Sequence, residues 1–157
     1  MNVLIVYDSV YGHTEKIAQA IGGAIPGEVK VRRVGEVTPS ELNTLDLLIV
    51  GAPTHGGRPS PATKEFLNNV SEQAIRGLSV AAFDTRLTTR WARILGFAAG
   101  KIGKSLEKKG GVLLVSPEPF FVIKGKGPLK EGELERAASW AKKIMEKKQE
   151  SDNKPSV

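Results

Sequence analysis

The chain has 157 residues, two histidines and no cysteine, with a formal net charge of +6 and an isoelectric point near 9.6. This length serves one domain with one core, in which about 70% of the unfolded surface is buried. With no cysteine, a disulfide framework, a thiolate metal site and a cysteine nucleophile are all excluded, and two histidines give little for a metal site.

Met1 runs directly into Asn2 to Tyr7 (NVLIVY), without a basic leader. No apolar run reaches membrane-spanning length, so a cytoplasmic protein with no membrane partner is expected. NVLIVY is a continuous apolar run, the mark of a strand covered on both faces. The same pattern recurs at Leu47 to Val50, Leu78 to Phe83 and Val112 to Val115, while Val29 to Val34 partly alternates as an edge strand does. Between these runs the apolar period is helical: Ile17, Ala18, Ile21 and Ile25; then Ala62, Phe66 and Val70; then Ile94, Ala98, Ile102 and Leu106; then Leu134, Ala137, Ala138, Ala141 and Ile144. Thr38-Pro39-Ser40-Glu41 and Ser60-Pro61 carry helix-start chemistry, and Gly110-Gly111 ends the fourth helix. Alternating strands and helices predict an α/β fold: a parallel sheet with helices on both faces, in one domain over residues 1–148. The polar stretch 149–157 is expected to be disordered. The positive excess lies on Lys101, Lys104, Lys108 and Lys109 and on Lys142, Lys143, Lys147 and Lys148, with few aromatics between them. Solvated helix faces, and no nucleic-acid partner, are therefore expected.

In such a sheet, ligands bind beyond the carboxyl ends of the strands. Three loops lie there: Asp8 to Thr14 (DSVYGHT), Gly51 to Ser60 (GAPTHGGRPS) and Asp84 to Arg93 (DTRLTTRWAR). The first turns at Gly12 into a helix and carries Ser9 and Thr14, which is either a phosphate cradle of backbone N–H groups and hydroxyls or a plain helix cap. No G-x-x-x-x-G-K-[ST] is present and no G-x-G-x-x-G follows the first strand, which sets aside nucleoside triphosphatases and the usual dinucleotide fold. The third strand ends in Val50-Gly51 rather than in an aspartate, which sets aside a phospho-acceptor domain.

DSVYGHTEKIA, GAPTHGGRPSPATKEF, FDTR and FAAGKIGKSLEKKGG together resemble the flavodoxin family in order and spacing, to about Lys148. The resemblance implies a flavodoxin-like three-layer sandwich, with a five-stranded parallel sheet of order 2-1-3-4-5, that binds FMN. Ser9, Val10, Tyr11, Gly12, His13 and Thr14 are similar to the family's phosphate loop, with Tyr11 in place of its middle threonine. That tyrosine variant also resembles the flavodoxin-like NAD(P)H:quinone reductases. Pro53, Thr54, His55, Gly56 and Gly57 match the loop that packs on the flavin ring. Asp84, Thr85, Arg86, Leu87 and Trp91 stand where the family places an acidic stretch and a stacking tyrosine. Here backbone N–H groups would meet the pyrimidine oxygens, and Trp91 either stacks on the ring or only packs.

Arg58, Arg86, Arg90 and Arg93 crowd two of these loops; facing the flavin they would stabilise its reduced anion, and facing water they would do nothing. His13 is expected at the phosphate and His55 as a proton donor, unless both are exposed loop residues. The expected function is electron transfer by an FMN-binding protein, with no catalytic protein residue and no metal. The partner is a redox protein or a quinone, and a homo-oligomer is left open. An FMN-dependent NAD(P)H:quinone oxidoreductase is the alternative, and a flavin-free binding module is the rival of another class.

Overall fold

In the computed structural model, residues 1–88, 97–124 and 126–155 are described. Strands β1 (Asn2–Tyr7), β2 (Glu28–Arg33), β3 (Leu47–Pro53), β4 (Ser79–Leu87), β5 (Val112–Leu113) and β6 (Glu118–Val122) form one parallel sheet. Its order is β2-β1-β3-β4-β5, and β6 also pairs with β4. The helices are α1 (His13–Gly23), α2 (Pro61–Asn69), the single turn α3 (Glu72–Ile75), α4 (Ala98–Lys108) and α5 (Glu133–Asp152).

The continuous apolar runs are explained by side chains that alternate between two buried faces. Val3, Ile5, Tyr7, Leu47, Ile49, Ala81 and Phe83 meet Ile17, Ile21, Ala137, Trp140, Ala141 and Ile144 of α1 and α5. The alternate residues Leu4, Val6, Leu48, Val50, Val80 and Ala82 meet Leu67, Ile102 and Leu106 of α2 and α4. On the first face Phe83, Phe120 and Trp140 pack edge-on, with ring centroids 6.0–6.1 Å apart. Each such pair adds about 0.5–1.5 kcal/mol to area burial.

Five readings are corrected in detail. The expected fifth strand, Val112 to Val115, is shortened to β5, which pairs with Ser79 and Val80, and a further strand, β6, continues along the same edge of β4 from Phe83 to Leu87. Strand β4 also runs on to Leu87, so Asp84 to Leu87 are strand rather than loop. Thr38-Pro39-Ser40-Glu41 opens only a 3₁₀ turn over Pro39–Leu42, because one buried apolar residue, Leu42, precedes the polar Asn43 and Thr44. The inner face of α2 carries Thr63 and Leu67; Ala62 is exposed and Phe66 half-buried. Helix α5 leaves Leu134 exposed and continues past Lys148 to Asp152, where Lys148 Nζ donates to the Asp152 carboxylate at 2.7 Å. Ile94 lies outside the described residues.

A polar clip fastens α5 to β6. Glu133 is buried, and its Oε2 accepts from the Phe121 N–H at 2.7 Å and from Arg136 Nη2 at 2.7 Å. Arg136 also donates to Glu118 and to the Pro119 carbonyl, over the face of Phe120. Burial opposes the charged carboxylate, but the bonds from Arg136 and the Phe121 N–H outweigh it, and the Glu133 pKa is lowered from 4.5. A lowered folded-state pKa contributes stability that is present above the unfolded value and lost as pH falls through the folded one. Urea unfolding should therefore show the midpoint dropping below about pH 4.5, and Glu133→Gln should flatten that drop and cost about 1.5–3 kcal/mol at neutral pH.

Candidate functional site

At the carboxyl ends of β1, β3 and β4 lies a cleft of about 400 Å³. One wall is Ser9, Val10, Tyr11, His13 and Thr14; a second is Pro53, Thr54 and His55; a third is Thr85, Arg86 and Leu87; Val122 and Lys126 close the fourth. The strand order makes β1 and β3 neighbours, so the loops that follow them share this end of the sheet.

The first wall is tightly anchored. Arg33 lies over the Tyr7 ring, stands 3.7 Å from Asp8 and donates to the Ser9 carbonyl at 3.0 Å. The Ser9 hydroxyl accepts from the Gly12 N–H at 3.0 Å, and Gly12, at φ 90°, caps α1 with no side-chain hydrogen bond. Among the described residues, no acceptor meets the first-turn N–H groups of His13, Thr14 and Glu15, so the positive end of the helix points at the cleft uncapped. Thr14 is buried, its hydroxyl paired with that of Thr85 at 2.8 Å. Val10 and Tyr11 are exposed, at 55% and 53%.

The second wall is a two-residue hairpin turn. His55 and Arg58 exchange both backbone hydrogen bonds, at 2.8 and 3.0 Å, around Gly56 (φ 55°) and Gly57 (φ 78°). Positive φ at both central positions makes a type I′ turn, which glycine adopts without strain. The Thr54 N–H donates to the Thr85 carbonyl at 2.9 Å, and the Thr54 hydroxyl accepts from the Ala98 N–H at 3.1 Å, joining this turn to β4 and α4. His55 and Arg58 are exposed.

The third wall departs from expectation. Asp84 is fully buried and is not among the residues that line the cleft: its oxygens accept from Arg86 Nε at 2.8 Å, Arg86 Nη2 at 2.6 Å and the Ala99 N–H at 2.9 Å. Arg86 lines the cleft, yet its charge is balanced by Asp84 and its guanidinium lies 3.3 Å from the Phe97 ring centroid. Arg86 is thus neither solvated nor an unbalanced cation. Thr85, Arg86 and Leu87 are in register with Phe120, Phe121 and Val122. Trp91, Arg90 and Arg93 lie outside the described residues.

Gly12, Gly56 and Gly57 shape the loops without lining the cleft. The His13 ring turns from the first wall to the fourth, where its Nε2–H donates to the Lys126 carbonyl at 2.9 Å and its Nδ1 is buried without a partner. Val122 and Lys126 were not singled out in the sequence; the signal available was Phe120-Phe121-Val122-Ile123, an apolar run preceded by Pro119. Among the described residues, no cluster of His, Asp or Glu is placed to hold a metal, and no helix is long and apolar enough to cross a membrane.

Comparison with known proteins places this geometry in a family. A family model described as "Flavodoxin domain" matches residues 4–126. A protein of Acidovorax ebreus named NAD(P)H dehydrogenase (quinone) is 34% identical over 113 residues, covering 55% of this chain and 56% of that one. A protein of the same name from Geobacter sulfurreducens is 28% identical over 139 residues, 71% of this chain and 61% of that one. A flavodoxin of Aquifex aeolicus is 38% identical over 72 residues, 43% of this chain and 39% of that one. The chain thus spans less than two thirds of the length of these relatives. Among solved structures, a flavodoxin from the domain Archaea superposes with a TM-score of 0.79 at 21% identity, over 95% of this chain and 99% of that one. With that sheet order, that cleft and a family match over most of its length, the chain belongs to the flavodoxin family, whose domains carry a flavin.

Proposed function

We propose that the cleft holds FMN without a covalent bond and that the protein works in electron transfer. The observation that carries this reading is a cleft of about 400 Å³ whose one end is the uncapped start of α1 and whose side is the His55–Arg58 turn. The volume falls within the roughly 300–1,000 Å³ of small-molecule sites. An uncapped helix start with a serine hydroxyl beside it suits a phosphate.

Ser9 to Thr14 hold the 5′-phosphate in this proposal. The Ser9 Oγ accepts from Gly12, which leaves its own proton free to donate to an anion. Pro53 to Gly57 and Thr85 to Leu87 flank the ring, and His55 is placed to exchange a proton with the ring edge or with a quinone. Bound there, the flavin supplies the electron-carrying chemistry, and the protein supplies position and electrostatics. Because Asp84 balances Arg86, the basic rim exerts less pull on a reduced, anionic flavin than four free arginines would.

A second reading, an NAD(P)H:quinone reductase, draws on the exposed Val10, Tyr11 and Leu87 around the cleft, an apolar rim that suits a planar quinone, and on the names of the relatives. Purified protein is to be mixed with FMN, its visible spectrum recorded, and the flavin reduced stepwise without oxygen. Binding with two separate one-electron stages, and no NAD(P)H consumption when quinone is added, is the result expected of a carrier. Steady NAD(P)H consumption with quinone would select the reductase, and a protein that stays colourless would reject the cofactor and leave a flavin-free binding module.

A further inference from the structure

We propose that Lys126, presented by the hairpin between β6 and α5, is the cation that holds the phosphate of the bound mononucleotide; this rests on the cleft being the FMN site. The hairpin is built from both ends. At its base, the Lys130 N–H donates to the Phe121 carbonyl at 2.8 Å, the Ile123 N–H donates to the Pro128 carbonyl at 3.0 Å, and Val122 bridges Leu129. The Glu133–Arg136 clip fastens the same base to α5 through the Phe121 N–H and the Pro119 carbonyl. At its tip, the Lys126 carbonyl is bonded to His13, the first residue of α1. A Cβ at Gly127 would overlap the His13 ring, so glycine is what lets the tip lie against that residue.

The charges around the cleft single out Lys126. Among the described residues, no Asp or Glu lines the cleft. Among the described residues two cations line it: Arg86 is balanced by Asp84, whereas Lys126 forms no ion pair. A concave site with a cation and no lining anion is complementary to an anionic ligand group. Because Lys126 is tied to His13, at the end where α1 starts, that group is the phosphate rather than the ring. Lysine serves here as a point charge and donor on a flexible stem.

The test is a fluorescence titration of wild type, Lys126→Gln and Lys126→Arg with FMN and with riboflavin, which has the same ring and no phosphate. Lys126→Gln is expected to weaken FMN about tenfold and to leave riboflavin within about twofold, while Lys126→Arg keeps FMN within about threefold of wild type. Added salt should weaken FMN more in wild type than in Lys126→Gln. Equal weakening of both ligands, or no weakening of FMN, overturns the assignment of Lys126 while the FMN reading stands. Wild type that binds neither flavin overturns the FMN reading itself.

Discussion

Asp84→Ala is expected to destabilise the fold by about 3–5 kcal/mol, the usual cost of removing one partner of a buried ion pair. Asp84 is fully buried at the end of β4, and three donors converge on its carboxylate: two from Arg86 and the Ala99 N–H. Alanine would leave the guanidinium, 11% exposed, without a counter-charge and the Ala99 N–H without an acceptor. The start of α4 would then be held by the Thr54 hydroxyl on Ala98, and Thr54 is itself part of the cleft wall. Stability and cleft geometry are thus coupled through one carboxylate. Urea unfolding followed by far-UV circular dichroism measures the loss, and a loss below about 1 kcal/mol would show that the pair is not the anchor described. Replacing both partners, Asp84→Leu with Arg86→Met, should recover much of the loss, because two desolvated charges are removed together.

The elements legible in the sequence are those whose residues answer to one physical demand. β1, β3 and the first part of β4 must bury both faces, so every position from Val3 to Tyr7 and from Leu47 to Val50 is apolar. The three segments at their carboxyl ends followed from sheet topology, and eleven of the cleft's lining residues lie in those segments, although Thr85, Arg86 and Leu87 are strand rather than loop. What was not legible arises where two demands compete. Pro119 brings no N–H to a strand ladder, yet an edge strand tolerates that gap, and β6 forms along β4. Missing that strand hid the fourth wall, with Val122 and Lys126. Asp84 and Arg86 read as loop residues facing a ligand, but two residues apart in a strand they share a side and bond to each other. In α2, apolar Ala62 and Phe66 read as the inner face, while Thr63 is taken inward by its hydroxyl bond to Ser60, at 2.8 Å.

The second large effect is expected at the turn of the second wall. Gly57 is buried with φ 78°, a conformation that a β-branched residue adopts only under strain of about 1–3 kcal/mol. Gly57→Val should therefore open the His55–Arg58 pair of hydrogen bonds rather than unfold the sheet, since the turn lies beyond the last paired residue of β3, Pro53. Because this turn flanks the proposed ring site, the strain should appear as a loss of FMN affinity of roughly 5- to 100-fold with the far-UV circular dichroism unchanged. Gly56→Asn provides the contrast. Gly56 is exposed, no atom lies within 4 Å of a Cβ built there, and asparagine is favoured at the first central position of a type I′ turn. That variant should bind FMN like wild type. If Gly57→Val also binds FMN like wild type, the turn does not contact the flavin; if Gly56→Asn fails as badly as Gly57→Val, the Gly56 peptide must change conformation during function and a fixed type I′ turn is not the working state.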